Sequence, residues 1–485
     1  MPTGEDDDLT DESETAVDLL AATSPPRSPA DGISFSSLRR RLLRGSAWVF
    51  LGRVVTIGLG LVINVLLARL LTHAELGAYF TTFTMVMIGS TIAQLGLDRA
   101  VVRIVAAAMA TGRPGKARRA VRMVFRYGLL GAVGVSLILG LGLGGWLARH
   151  VFHSALVEGV MPLAAGWVVV VALQSLTVET YRGLQRFAAA TIFDAMIVDV
   201  LLSAVFGVLF ISHSAVSLRG VVAITAAVIG VVAAVAAILL WRRTRTLDGE
   251  GVLERGEARA IAWPLLVTSL SIYLLGTGID LLVLGAFRPQ SQVALYGAAA
   301  RLTLLVATPF TILQGVTPPI VAELHAQGKK EKLQAAMRAV ATLAGIPTLL
   351  ILLVFLFFGP QVMSLLYSPF FRQAAPILAI LSVARLVAVW TGSCGVVLMM
   401  TGHQRAMMIL TVATGVISVA AGILAAPRFG GMGVAVATST AQVAQNVAQL
   451  FLARRLVGVW TQIHLSPRPF IRFFRGREPI RSEGP

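Results

Sequence analysis

The chain of 485 residues has one cysteine, Cys394, and it lies inside an apolar run. No intrachain disulfide is possible, and no thiolate cluster can hold zinc or an iron–sulfur centre. Charge is scarce as well: Asp, Glu, Lys and Arg make up 13% of the residues, against ~25% in soluble domains. Also missing are a Walker loop, a dinucleotide fingerprint, a His-Glu-x-x-His pair and any polar stretch large enough for a nucleotide-hydrolysing domain. The chain is therefore read as a non-enzyme without cofactor or metal. Any work it does must draw on a gradient, the membrane potential or consumption of cargo on the far side.

What fills the chain instead is hydrocarbon. Hydrophobic residues make up 56%, in runs long enough for a helix rising ~1.5 Å per residue to cross a bilayer core of ~30 Å. The first two runs, Ser46 to Leu71 and Gly77 to Leu97, are joined by the polar turn Thr72-His73-Ala74-Glu75. Further runs follow at Gly128 to Ala148, Leu156 to Thr177, Ala188 to Ile211 and Leu218 to Trp241. A second set covers Ala260 to Ala286, Tyr296 to Leu324, Val340 to Phe358, Ala374 to Met400, Met407 to Ala426 and Met432 to Leu452. The fold class is all-α and polytopic, with about twelve membrane helices in two lobes of six. Residues 1–34 are an acidic tail that cannot bury enough apolar area to fold, and 35–241 the first lobe. Residues 242–259 are a polar linker, 260–459 the second lobe and 460–485 a basic tail.

The formal net charge is +17, yet no basic folded domain carries it, which removes nucleic acid as a partner. The loops on one side offer little beyond Arg149, Arg219, Arg288, Arg372 and Arg428, and most of the cations fall between spans on the opposite side, at Arg39 to Arg44, Arg113 to Arg126, Arg182 and Arg186, Arg242 to Arg259, Lys329 to Arg338, Arg405, and Arg454 onward. The positive-inside rule places these loops and both termini in the cytoplasm of a bacterial-type plasma membrane, facing anionic lipid headgroups.

An internal repeat supports the six-plus-six count. Ala78-Tyr79 opens the second span as Leu295-Tyr296 opens the eighth, 217 positions on, and Gly183-Leu184-Gln185-Arg186 recurs as Gly402-His403-Gln404-Arg405, 219 positions on. Six is even, so the halves share one orientation about an axis along the membrane normal, as in transporters that bind substrate between halves. The run Leu66 to Leu71 with Glu75 to Phe80, the turn Tyr181 to Arg186, and Asp280 to Gly285 with Val293 to Leu302 resemble the polysaccharide-export branch of the multidrug, oligosaccharidyl-lipid and polysaccharide (MOP) flippase superfamily. The resemblance covers Phe35 to Val459. It implies a V-shaped pair of six-helix lobes that alternates between inward and outward openings. The implied cargo is a sugar chain on a polyprenyl pyrophosphate carrier, and the implied partners are a polysaccharide polymerase or glycosyltransferases. The peptidoglycan-precursor branch usually adds two C-terminal spans, where this sequence has its basic tail.

Polar residues inside the spans are the candidate site. Arg53, two turns into the first span, suits bidentate phosphate contacts or snorkels to the interface. Arg385 lies near the midplane, too deep to snorkel, and is expected to face the cavity. Asp280 and Arg301 lie at similar depth on adjacent helices and are expected to pair; unpaired, they would serve a coupling ion and an anion. Arg99 and Arg103, spaced i, i+4 at the inner end of the second span, are interfacial cations or hold an anion between them. Thr438, Gln442, Gln445, Asn446 and Gln449 line one face of the last span, for interhelical hydrogen bonds or for sugar. Asp194 and Asp199 are deep carboxylates for a coupling proton or sodium ion, placed apart by their spacing of five. Pro264 and Pro318-Pro319 should break or bend the seventh and eighth spans.

These residues point to export of lipid-linked oligosaccharide or polysaccharide units by alternating access. A drug or cation antiporter of the multidrug and toxin extrusion type shares the architecture; its cavity would be acidic, whereas pyrophosphate and acidic sugars call for arginines. A membrane glycosyltransferase or polymerase would need a long outer loop or a catalytic domain, and the outer loops here are short.

Overall fold

The computed structural model describes residues 55–245, 278–315 and 317–463. Both tails, most of the linker, the start of the first span and most of the seventh fall outside them, and with them Arg53 and Pro264. Helix α1 is Val55–Leu70, α2 His73–Ala93, α3 Leu97–Ala110, α4 Pro114–His150, α5 Ala155–Gly183, α6 Phe187–Ile211 and α7 Leu218–Thr244. After the linker come α8 Ile279–Phe287, α9 Gln290–Gln314, α10 Thr317–Ala326, α11 Lys330–Leu366, α12 Pro369–Thr391, α13 Cys394–Met400 and α14 Gln404–Val457. Among the described residues nine helices are long and apolar enough to cross a membrane. The chain is a multi-pass, all-helical membrane protein.

Local chemistry starts several of these helices. Thr72 and Glu75 form a reciprocal capping box on α2: the Thr72 Oγ1 accepts from the Glu75 N–H at 3.3 Å and the Glu75 Oε2 from the Thr72 N–H at 3.0 Å. Ser154 and Ser217 cap α5 and α7 in the same way, each accepting from the N–H three residues on.

Four boundaries differ from the hydropathy reading. The second span ends at Ala93; the turn at Leu95 and Gly96, both left-handed, starts a separate helix, α3. Its buried positions Leu97, Ala100, Val101, Ile104, Val105 and Ala108 form one stripe against α4 and α5, so Arg99 and Arg103 ride on the opposite, exposed face. Helix α9 starts at Gln290 and stops at Gln314, and Pro318 and Pro319 stand in the first turn of α10, where a missing N–H costs no hydrogen bond. The eighth span is thus broken just before these prolines, one of the two outcomes expected of them. The tenth span is interrupted at Gly392, whose φ of 78° and tight approach to the Thr461 carbonyl exclude a side chain. The last two spans run on as α14, which reverses at Gly430 (φ 56°, ψ −144°). That reversal is why Gln445 on the returning limb donates to Thr411 on the first limb at 3.2 Å.

The lobes meet through α2 of the first and α9 of the second. Among the described residues, several of the contacts between them lie near the end that charge asymmetry predicts to be outer. There Arg69 donates to the Leu365 and Leu366 carbonyls at 2.8 and 3.4 Å, and His73 stacks on Phe370 with centroids 3.8 Å apart. Just below, the Thr81 hydroxyl donates to the Gln290 Oε1 at 2.9 Å, the backbones close at Gly77 against Gln290, and Phe80 fills the notch left by Gly297. Small residues at such a crossing let membrane helices approach closely. Deeper in, each helix turns to its own lobe. Gly89 of α2 packs on Val135, Leu139 and Val168, while the Val306 carbonyl of α9 accepts from Thr348 at 3.0 Å. Below the crossing, α2 and α9 therefore pack into separate lobes toward the arginine-rich end.

A Cβ on Gly77 would overlap the Gln290 carbonyl, and one on Gly297 the buried Phe80 ring. We expect Gly77→Ala and Gly297→Ala each to destabilise the folded protein by about 1–3 kcal/mol, read as a lower thermal midpoint in detergent. Phe80→Ala should restore Gly297→Ala but not Gly77→Ala.

Candidate functional site

Where α2 and α9 begin to part stands Arg301, roughly 16 Å along α9 from its outer end at 1.5 Å per residue. Its guanidinium lies over the α2 rings of Phe83 and Phe80, 4.9 and 5.9 Å from their centroids. Phe83 is held by Trp167 and Tyr79, at centroid distances of 5.8 and 6.3 Å, so the first lobe presents a fixed aromatic face to a cation of the second. No carboxylate lies within ion-pair distance of Arg301 among the described residues.

The expected pairing of Asp280 with Arg301 does not form. Asp280 accepts from the Tyr296 hydroxyl at 3.0 Å. The reason is angular: Tyr296 precedes Arg301 by five residues, which turns the two side chains about 140° apart around α9 at 100° per residue. Tyr296 looks into its own lobe and Arg301 across to the other. Asp280 follows Tyr296.

Around that carboxylate four helices converge. The Thr438 hydroxyl of α14 donates to the Val434 carbonyl at 2.6 Å and lies within hydrogen-bonding reach of Asp280 and Tyr296. Arg385 of α12 sits within electrostatic reach of both, without closing to ion-pair distance. Tyr296 is fully buried, whereas Asp280 and Arg385 keep part of their surface open at mid-membrane depth. A polar cluster inside the second lobe thus holds one carboxylate and one guanidinium apart.

The polar stripe of the last span divides. Its outer end, Thr438, joins the Asp280 cluster. Its inner end packs between helices: Gln445 donates to Thr411, Asn446 donates to the Gln442 carbonyl at 2.8 Å, and buried Gln449 meets the Cys394 thiol. Gln442 lies between the two ends, half-buried, with its side-chain amide in none of these bonds.

In the first lobe residues Ile192–Met196 of α6 form a π-turn, and Asp199, just beyond it, lies within electrostatic reach of Asp194. Asp194 accepts from Arg182 at 2.6 Å, and Arg182 also pairs with buried Glu179. Gln174 donates to the Phe193 and Asp194 carbonyls at 2.9 and 2.8 Å, serving two carbonyls of that turn. Arg99 reaches only its neighbour Asp98, at 3.7 Å, and is mostly exposed, as Arg103 is. The structure gives these two cations an interfacial setting.

Sequence reasoning passed over Tyr296 and Glu179. Tyr296 served as a mark of the repeat, though a phenol inside an apolar span needs a hydrogen-bond partner. Glu179 stands three residues before Arg182, a spacing that announces a pair on one helical face.

Residues 42–325 match the family model described as polysaccharide biosynthesis protein. A search of curated proteins returns no match. Among solved structures, the fold resembles the inward-facing conformation of a multidrug resistance MATE family transporter of the MOP superfamily, with TM-score 0.69 and 14% identity over 84% of this chain and 98% of that one. It resembles the lipid II flippase MurJ in an inward closed conformation, with TM-score 0.67 and 12% identity over 88% and 89% of the two chains. A MOP superfamily transporter from Pyrococcus furiosus, described as having a binding pocket of reverse polarity, aligns with TM-score 0.58 and 14% identity over 87% and 96%.

Tyr296→Phe deprives the Asp280 carboxylate of its phenolic donor. It should lower the thermal midpoint in detergent, and the same change in an Asp280→Asn background should cost less. A coupling of about 1.5–3 kcal/mol is expected for a hydrogen bond to a charged group, measured by a double-mutant cycle.

Proposed function

Because this chain belongs to the polysaccharide biosynthesis protein family, we propose that it moves polyprenyl-pyrophosphate-linked oligosaccharide or polysaccharide units across the plasma membrane by alternating access. One observation carries the reading: the cleft and its second-lobe wall hold guanidinium groups that no carboxylate neutralises at bonding distance among the described residues. Arg301 meets the headgroup at the top of the cleft and Arg385 reads it from within the second lobe. Both have the fork geometry that matches phosphate and acidic sugar. Arg53 is proposed to add a third cation near the loading side.

The basic loops and the cleft mouth lie at the same end, which assigns that end to the cytoplasm by the positive-inside rule. The substrate is then loaded from inside, its sugars in the wet cleft and its tail in lipid. Asp199 and Asp280 are the carboxylates proposed to take a coupling proton or sodium ion. Asp194 is tied to Arg182 and is given a positioning role. Gln442, nearest the Asp280 cluster on the last span, is proposed to contact sugar. A drug antiporter on the same fold would offer a cation an unpaired acidic cavity, and here Glu179 and Asp194 are engaged by Arg182 and Asp280 by Tyr296. Membrane lipids and a polysaccharide polymerase or glycosyltransferases are the partners this role requires.

Arg385→Ala and Arg301→Ala should abolish appearance of the glycan at the cell surface while the protein still inserts to wild-type levels. Lipid extraction should then find lipid-linked sugar stranded on the inner leaflet. Normal surface polysaccharide in both variants would remove these arginines from the mechanism.

A further inference from the structure

A second cation-rimmed feature lies away from the cleft, on the flank of the first lobe. Helices α4 and α7 both pack on α5 and leave a groove between them whose floor is Leu173 and Leu176 of α5. Two adjoining cavities, of about 320 and 100 Å³, make up the groove and share Arg122, Phe125 and Trp241. The shared residues make it one continuous channel.

Its chemistry changes with depth. Arg118, Arg122 and Arg126 recur every fourth residue on α4 and so line one stripe over ~12 Å of helix. Arg245 closes the opposite rim and lies 5.2 Å over the Trp241 ring. Further into the membrane the same walls become Leu129, Ala132 and the two α5 leucines. Gly128 permits that recess, since a Cβ there would run into Leu176. Neither Arg122 nor Arg126 meets a carboxylate among the described residues, and both are exposed.

The groove opens to lipid rather than to the cleft. Leu130 of α4 and Ile238 of α7, beside its mouth, are 61% and 54% exposed, which only hydrocarbon accommodates at this depth. Trp241 stands at the change from apolar to cationic lining, the level at which indole rings favour the interface.

We propose that this groove is a binding site for an anionic glycerophospholipid of the inner leaflet. The phosphodiester would lie among Arg122, Arg126 and Arg245, and one acyl chain along Phe125, Leu129 and the α5 leucines. Cationic pockets between membrane helices on the cytoplasmic side recognise phospholipid headgroups by this combination of charge and apolar depth. The site is separate from the proposed cargo path and does not depend on what the cargo is.

The test uses the full chain in nanodiscs of phosphatidylcholine doped with phosphatidylglycerol brominated in its acyl chains, against equally doped brominated phosphatidylcholine. Subtracting the signal of Trp241→Phe isolates the quenching of that one indole. Quenching should be selective for the brominated phosphatidylglycerol. Selectivity should fall about thirty-fold in Arg122→Gln/Arg126→Gln, at ~1 kcal/mol per arginine, and persist in Arg113→Gln/Arg119→Gln, whose cations lie just before and within the start of the same helix, outside the groove. The wild-type comparison stands even if the double variant fails to fold. Equal quenching by the two lipids overturns the site, as does equal loss in the Arg113→Gln/Arg119→Gln control. Displacement of brominated phosphatidylglycerol by stoichiometric polyprenyl pyrophosphate would assign the groove to the cargo's lipid instead.

Discussion

The close crossing of α2 and α9 is the constraint from which the remaining architecture follows. Phe80 and Gly297 are 217 positions apart, the offset that separates Tyr79 from Tyr296, so the two repeats meet at equivalent positions on their shared axis. One repeat supplies the ring and the other the notch. Lipid gives such a contact no hydrophobic driving force, so its strength lies in packing over small residues and in the Thr81–Gln290 hydrogen bond beside it. Joined at one end and committed to separate lobes below, the helices leave a wedge of space that opens toward the basic loops.

That crossing also explains the placement of Arg301. One helical turn past Gly297, it emerges where α2 and α9 begin to part, and the nearest groups across the gap are rings rather than acids. Aromatic faces hold a guanidinium with ~1–2 kcal/mol and leave its charge unneutralised, while a phosphate offers a bidentate, charge-assisted contact that is stronger. The arrangement keeps the cation in place and available. A carboxylate partner, as the depth argument alone predicts, would have cancelled it.

Features that depend on length and composition were legible in the sequence: the membrane class, the flippase family and the polar Thr72 to Glu75 turn between the first two spans. Features that depend on angle were not. Depth along a helix follows from counting, but which neighbour a side chain faces depends on rotation about the axis, and that separated Asp280 from Arg301. Local departures from α-helical pitch were equally hidden. The π-turn at Ile192–Met196 interrupts α6 just before Asp199, and the left-handed Leu95 and Gly96 took Arg99 and Arg103 off the second span. Hydropathy averages over windows longer than these interruptions, so it reads through them.

The two lobes are built to the same plan with opposite polar contents. In the first, carboxylates of α5 and α6 gather around Arg182, and Asp199 adds a negative charge beside them without an ion-pair partner among the described residues. In the second, Tyr296 donates a hydrogen bond to Asp280, and the guanidinium of Arg385 stands off from it. The Arg301 contact with Phe80 and Phe83 joins the two lobes; on the reading proposed above, it is the contact that a rocking of one lobe against the other would loosen.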